Sequence, residues 1–414
     1  MRKIKRYNRI YTQRRSRSVL RVLGFLVLCA ALVFVGFSLF GPVQDFIEGL
    51  RNPSSPSSDV SSLTDSSSQP GTASSTPDSS APGTEDTAMR GAYLPASALS
   101  DDDAFDRFIA FAKAQNVNTA VLEMKSSDGV VHYNSALENV IKAGAVADSS
   151  FDIGKRLAAL KENGLDAVAL IHVFQDRLAA RVFYESAVKY GNTGTNWLDN
   201  SLDLGGKPWL NPYSDFSSTY NLDIASELMD LGFSGVMADS VQFPSGYALN
   251  YATYGENQSS KTRQQCLADF AARFTELAGS KDKTAILAAS VTASLSPEEQ
   301  VYGTDGPLLY GCSMIAPRIV PASFGTRLTA GGLTVEAPAK TPAQTVSAVT
   351  AAVMQKNAGA RYIPFIQCYT DSTLAAEVNK TYTLEDVAAE VAALEGQGVE
   401  DYILFDPSGA YQIS

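Results

Sequence analysis

The chain has 414 residues, 45% of them hydrophobic, and a formal charge of −11. That apolar content excludes a wholly disordered polymer, and the acidic balance argues against a nucleic-acid binder, which needs a basic face. The average conceals two populations: residues 1–21 hold nine bases and no acid, leaving 24 bases against 44 acids in the rest.

Residues 22–41 separate these populations. They form 20 uncharged, mostly apolar positions, which as a helix would span ~30 Å, the thickness of a bilayer core. Bases flank this stretch only on its N-terminal side. The positive-inside rule then predicts a single-pass cell-membrane protein with residues 1–21 as a cytoplasmic tail and everything after 41 outside the cell. The alternative is a cleaved signal peptide, but its apolar core is usually shorter and no small-residue cleavage site follows. Residues 42–88 come next. Within them, 53–84 carry 13 Ser and 5 Pro, a composition that cannot build a core and predicts a disordered linker.

Residues 89–414 are predicted to form one domain. Eight short apolar runs occur at 91–94, 119–124, 167–173, 235–238, 285–291, 312–316, 362–368 and 402–405. Most are apolar throughout rather than alternating, as strands buried on both faces are. Amphipathic stretches lie between them at 101–115, 151–163, 219–231, 264–278, 342–357 and 383–395, several ending next to a glycine. Eight strands alternating with helices predict an α/β fold, the (β/α)8 TIM barrel. An open doubly wound sheet is the alternative. No glycine-rich phosphate loop follows any run, so nucleotide binding has no support.

In such a barrel the chemistry sits where strands end. The run ends present Tyr93; Glu123, Lys125 and Asp128; His172 and Asp176; Asp239, Gln242 and Phe243; Ser290 and Thr292; Arg318; Gln367 and Tyr369; and Asp406. Asp239 follows a fully apolar run, where a carboxylate is costly unless paired or open to a cleft. Lys125 offers Glu123 a simple salt bridge, and Asp406 precedes a Pro-Ser-Gly turn that it would cap. With only His132 and His172 in the chain, a multi-histidine metal site is excluded and no cofactor is implied. Acids at barrel strand ends in a histidine-poor chain fit paired-carboxylate hydrolysis of glycosides. Trp197, Trp209, Tyr213, Phe243, Tyr247 and Tyr251 are candidates to stack on sugar rings. Cys266, Cys312 and Cys368 fit buried free thiols, with one disulfide as the alternative.

Several segments resemble a known family, the putative glycosyl hydrolase family of bacterial (β/α)8 barrels related to the α-amylase-like hydrolases. They are Arg90-Gly91-Ala92-Tyr93-Leu94, the stretch Glu123 to Ser135, Ile171 to Asp176, Trp209 to Tyr213, and above all Leu231 to Gly246. The resemblance spans nearly all of 89–414. It implies that Asp239 is the strand-4 acid, acting as nucleophile or transition-state stabiliser, and that Glu123 is the acid/base. Tyr93, Lys125, His172, Gln242, Phe243, Arg318 and Gln367 are then the expected substrate-binding residues. The chain departs from the family pattern in having Glu123 for Asp, Gln242 for Arg, no acid after strand 5, and neither Tyr nor His after Arg318. It reads as a divergent member.

The expected function is therefore a membrane-anchored extracellular glycoside hydrolase of cell-wall or environmental polysaccharide, a membrane partner through 22–41, and no nucleic-acid partner. A catalytically degenerate barrel that binds carbohydrate or scaffolds envelope proteins is the alternative. The outer charge favours neutral or cationic glycans over anionic wall polymers. Nothing in the sequence fixes an oligomeric state.

Overall fold

The computed structural model describes residues 88–148 and 151–413. The basic tail, the apolar 22–41 stretch and nearly all of the Ser/Pro-rich linker lie outside the described residues. Among the described residues, no helix is long and apolar enough to cross a membrane.

Eight parallel strands close on themselves: β1 Arg90–Leu94, β2 Thr119–Lys125, β3 Asp166–His172, β4 Gly235–Asp239, β5 Thr284–Ser290, β6 Met314–Arg318, β7 Phe365–Gln367 and β8 Tyr402–Phe405. Each pairs with its successor, and β8 returns to β1 through Arg90 beside Tyr402 and Ala92 beside Leu404. The sheet is a closed barrel, not an open doubly wound sheet. Pro317 lies inside β6, which runs two residues beyond the apolar run that predicted it. The run at 362–368 is broken at Ile363-Pro364, with Arg361–Tyr362 and Phe365–Gln367 as separate pieces. Proline cannot donate to the ladder.

Six long helices surround the barrel: α1 Asp102–Ala114, α2 Ile153–Glu162, α3 Asp215–Asp230, α4 Arg263–Ser280, α5 Pro342–Lys356 and α6 Leu384–Glu395. Their starts follow side-chain chemistry. Asp101 and Asp152 accept from the first-turn amides of α1 and α2, while Thr262 and Thr383 close reciprocal capping boxes with Gln265 and Asp386. α3 begins at a Ser214 cap, four residues before its predicted start. Between β5 and β6 the chain makes only the short helices Val291–Leu295 and Glu299–Tyr302 and a 3-10 turn.

Two apolar layers result. The barrel interior holds Tyr93, Val121, Leu170, Met237, Ile286, Ala316 and Ile403, and the larger layer lies between strands and helices. The three described cysteines are buried free thiols.

Where the ends of β1 and β8 meet, the final segment folds back over them. The Tyr411 hydroxyl donates to the carbonyls of Tyr93 (2.5 Å) and Leu404 (3.1 Å), and its ring stacks on Phe111 of α1 at 4.2 Å. At the opposite end of the same seam, the Met89 amide donates to Asp401 Oδ1 at 2.6 Å.

Candidate active site

The C-terminal mouth of the barrel opens into a cavity of about 390 Å3 lined by Tyr93, Leu170, His172, Gln175, Asp239, Ser240, Arg318 and Phe405. A larger groove of about 630 Å3 lies around the start of α4, at Thr262 and Arg263, but contains neither Glu123 nor Asp239.

Asp239 ends β4, in register with His172 at the end of β3. Arg318, reaching from the end of β6, donates to Asp239 Oδ2. The guanidinium carbon itself lies 4.6 Å from the centre of the Phe365 ring and 5.9 Å from that of Phe405. Burial would raise the Asp239 pKa, but the charge and hydrogen bond of Arg318, aided by the Ser240 amide, outweigh it and hold the carboxyl well below the usual carboxylate range. Asp239 is a permanent anion at any ordinary pH.

Ser240 turns the chain immediately after this acid. Its backbone is left-handed, with φ 55°, a conformation that costs a non-glycine residue roughly 1 kcal/mol or more and is commonly held at working sites. In this geometry its amide donates back to Asp239 Oδ1, and its hydroxyl lies 2.8 Å from His172 Nδ1.

Glu123 is the second acid. Its Oε1 is 4.0 Å from His172 Nε2, and its side chain is 20% exposed, close to the 17% of Asp239. The Tyr93 hydroxyl lies against it. Burial, then the Glu123 charge, push that phenol far above its ordinary value, so it stays a donor. His172 is pushed down: burial lowers its pKa, and the attraction of Asp239 and Glu123 only partly offsets this. A neutral imidazole thus bridges the β2 and β4 acids, touching Ser240 with one nitrogen and facing Glu123 with the other.

The structure brings Tyr93, Glu123, His172, Asp239 and Arg318 to one mouth. Four other expected binding residues lie apart from it. Lys125 is completely buried, and its partner is Asp176 Oδ2 at 2.9 Å rather than Glu123. The cause is a bulge: Glu123 stands opposite Leu170 and Lys125 opposite Ile171, so two β2 residues on one face of a regular strand face adjacent, oppositely directed β3 residues. Lys125 is thereby turned outward into the helix layer, donating to the carbonyls of His172 (2.5 Å) and Val173 (3.4 Å). Gln367 is buried as a strut, accepting from the Ala322 amide at 2.7 Å and donating to the Tyr369 carbonyl at 2.9 Å. Phe243 is buried between Tyr213, Tyr254 and the Arg263 guanidinium. Gln242 meets the Tyr302 hydroxyl outside the cavity lining.

The remaining strand-end candidates have structural partners. Asp128 pairs with Lys207 at 2.6 Å and Arg177 at 3.3 Å. Asp406 caps the final turn, accepting from the Ser408 and Tyr411 amides at 2.8 and 2.9 Å. Ser290 caps the short helix after β5. Ser240, which the sequence also places at the end of the fourth strand, lines the cavity, and Gln175 is a cavity residue signalled only by its adjacency to Asp176.

A closed eight-stranded parallel barrel with two acids at its C-terminal mouth makes the chain a (β/α)8 barrel with polar groups where such folds carry their sites. The chain belongs to the family described as a putative glycosyl hydrolase domain, whose model matches residues 91–411. Among solved structures, the glycoside hydrolase domain of PgaB (BpsB) from Bordetella bronchiseptica is 14% identical, with a TM-score of 0.53 over 78% of this chain and 95% of that one. Alpha-L-fucosidase isoenzyme 2 from Paenibacillus thiaminolyticus is 11% identical, with a TM-score of 0.50 over 79% of this chain and 47% of that one. A hypothetical protein from Ruminiclostridium thermocellum is 24% identical, with a TM-score of 0.42 over 47% of this chain and 96% of that one. The PgaB and fucosidase likenesses are of fold. No curated protein sequence matches the chain.

Proposed function

We propose that the barrel hydrolyses glycosidic bonds of a polysaccharide with Asp239 and Glu123 as its working acids. The observation that carries this is the difference between their surroundings. Asp239 is locked as an anion by Arg318, while Glu123 lies beside the Tyr93 phenol and the imidazoles of His172 and His132. Glycoside cleavage needs that asymmetry: one carboxylate to attack or stabilise an oxocarbenium-like centre, and one carboxyl to exchange a proton with the leaving oxygen. Asp239 fits the first role and Glu123 the second, with Tyr93 and His172 orienting Glu123.

Reducing-end release from a panel of neutral and amino polysaccharides by the full chain in detergent tests this. Asp239→Asn and Glu123→Gln should each lose at least 100-fold in kcat, as removal of a charge-stabilising group and of a proton-transfer group do. Undiminished release by Asp239→Asn refutes the assignment.

A second reading has its own support. β5 ends in Ser290, occupied in capping, where the family resemblance leads one to expect an acid. A barrel that binds glycan without cleaving it would show saturable binding and no turnover by the wild type on any polymer of the panel.

The proposal extends to location. The apolar length of 22–41 and the bases confined to its N-terminal side support a single membrane span with the barrel outside the cell, lifted on the Ser/Pro-rich linker. Protease added to intact cells should remove residues 89–414 and spare the N-terminal tail.

A further inference from the structure

The large apolar side chains exposed on the described surface are unevenly spread. Of ten, seven lie within positions 182–204 and 247–251, and these include all four exposed aromatics: Tyr184, Tyr190, Tyr247 and Tyr251. This lobe is built by the loops that follow β3 and β4. The two-residue strands Lys189–Tyr190 and Ala252–Thr253 pair antiparallel and bind the loops together. The Gly191 amide donates to the Tyr251 carbonyl at 2.7 Å, and the Tyr247 amide to the Asp199 carbonyl at 2.8 Å. Tyr190 and Tyr251 stack with centroids 5.2 Å apart and planes 21° from parallel.

Of the six aromatics the sequence offered as sugar-stacking candidates, Trp197, Trp209, Tyr213 and Phe243 are buried in packing. Tyr247 and Tyr251 are 62% and 51% exposed, and Tyr190 joins them from the other loop. A backbone scaffold thus presents rings to solvent that a folded core would otherwise bury.

From this we infer that the lobe is a second carbohydrate site, a tyrosine platform that holds a run of neutral sugar residues of a polymer outside the catalytic mouth. Three features select this occupant. The rings stand among uncharged hydrogen-bonding side chains, with Asn192, Thr193, Thr195 and Asn250 exposed beside them, which is the chemistry of hydroxyl-rich ligands. Residues 245–254 carry no charge and 183–206 carry three acids to one base, so an anionic polymer or lipid surface is disfavoured. The platform also lies on the same end of the barrel as the mouth, because its loops spring from the strands that end in His172 and Asp239. The extension to substrate class rests on the hydrolase reading above: an enzyme with such a platform acts on long chains in preference to short oligosaccharides.

Native gels containing a mixed-linkage β-glucan, a galactomannan or glycol chitin test the platform on the full chain in detergent. At least one polymer should retard the wild type, and Tyr190→Ala/Tyr251→Ala should weaken that affinity about tenfold, the loss of roughly 1.4 kcal/mol. Tyr251→Trp should retain it. Asp239→Asn should bind as the wild type does, which separates the platform from catalysis. If the tyrosine pair controls retardation but no polymer is cleaved, the hydrolase reading fails and the platform stands. Retardation by none of the three polymers, retardation untouched in the double alanine variant, or a dimer in sizing columns that the double variant dissolves each overturns the platform.

Discussion

Arg318 and Asp239 face each other across the barrel mouth, joining the end of β6 to the end of β4 through one charge-assisted hydrogen bond. The pair does more than neutralise a charge. It fixes the protonation state of the acid on which the proposed chemistry depends, and it does so from a guanidinium whose own position is set by two aromatic rings.

Removing that guanidinium should therefore change a titration as well as a rate. In Arg318→Ala, burial is left to dominate and the Asp239 pKa rises. The acid limb of kcat/KM is expected to move to higher pH, with kcat falling about 100-fold or more as for other lost electrostatic contacts. Arg318→Lys, which keeps the charge but loses the planar guanidinium, should show a smaller displacement. A pH–rate profile with an unmoved acid limb in both variants would refute the coupling.

The Lys125–Asp176 pair, fully buried behind β2, makes a prediction about stability. Lys125→Met leaves the Asp176 charge unpaired and should cost roughly 3–5 kcal/mol. The double variant Lys125→Met/Asp176→Leu removes both charges and should recover part of that loss, although Asp176 also caps the helix at Arg177 with a 2.8 Å bond to the Ala179 amide. Urea unfolding of the two variants beside wild type measures both effects. A double variant no more stable than Lys125→Met would contradict the pairing.

These two relationships mark what the sequence made legible. The strands were visible because a barrel wall is buried on both faces, so its runs are apolar without alternation. The long helices were visible because apolar residues recur at helical spacing and several of the stretches end next to a glycine, while the caps Asp152 and Thr262 emerged only in the structure. Glu123 and Asp239 were visible as acids where apolar runs stop. The fate of Lys125 was not, because a bulge is set by pairing with a strand some 40 positions away and shifts which side of the wall a residue faces. Nor could ring exposure be read locally: Phe243 and Tyr247 lie four residues apart with the same aromatic character, one buried and one open to solvent.

Glu390 supplies another stability test. It is buried in α6, accepts the Gln367 amide at 3.0 Å and meets the Tyr382 hydroxyl, and burial raises its pKa well above the ordinary value. Glu390→Gln keeps both hydrogen bonds without a titratable proton and should fold with equal or greater stability at neutral pH. Glu390→Leu strands the Gln367 amide and the Tyr382 hydroxyl and should cost roughly 1–3 kcal/mol for each. Guanidinium unfolding midpoints ordered Leu above Gln would refute this account.

The pH dependence of stability follows from the same shifts. The unfolded chain protonates His172 near pH 6.5, whereas the folded imidazole resists protonation. Lowering the pH through that value therefore favours the unfolded state. Asp239 acts in the same direction further down, its contribution present above about pH 4 and lost as pH falls toward its depressed folded value. Glu390 opposes both, since its raised pKa gives stability that is full below its ordinary value and is lost as pH rises through the folded one. The Tm of Glu390→Gln is therefore expected to fall more steeply on acidification than that of wild type. His172→Asn should flatten the fall between pH 6.5 and 5. Identical slopes in all three proteins would refute the assignment.

The Tyr411 contact across the β1–β8 seam has a consequence for how the chain is made. The hydrogen bonds that close the barrel link residues more than 300 positions apart, such as Met89 with Asp401 and Tyr93 with Tyr411. Such non-local closure is slow to form and leaves strand edges unpaired in the meantime. During synthesis β1 emerges long before β8, and its outer edge has no partner until Tyr402–Phe405 leave the ribosome. The cylinder is thus completed only once β8 has emerged, and a chain cut before Tyr411 is left a ring without its latch.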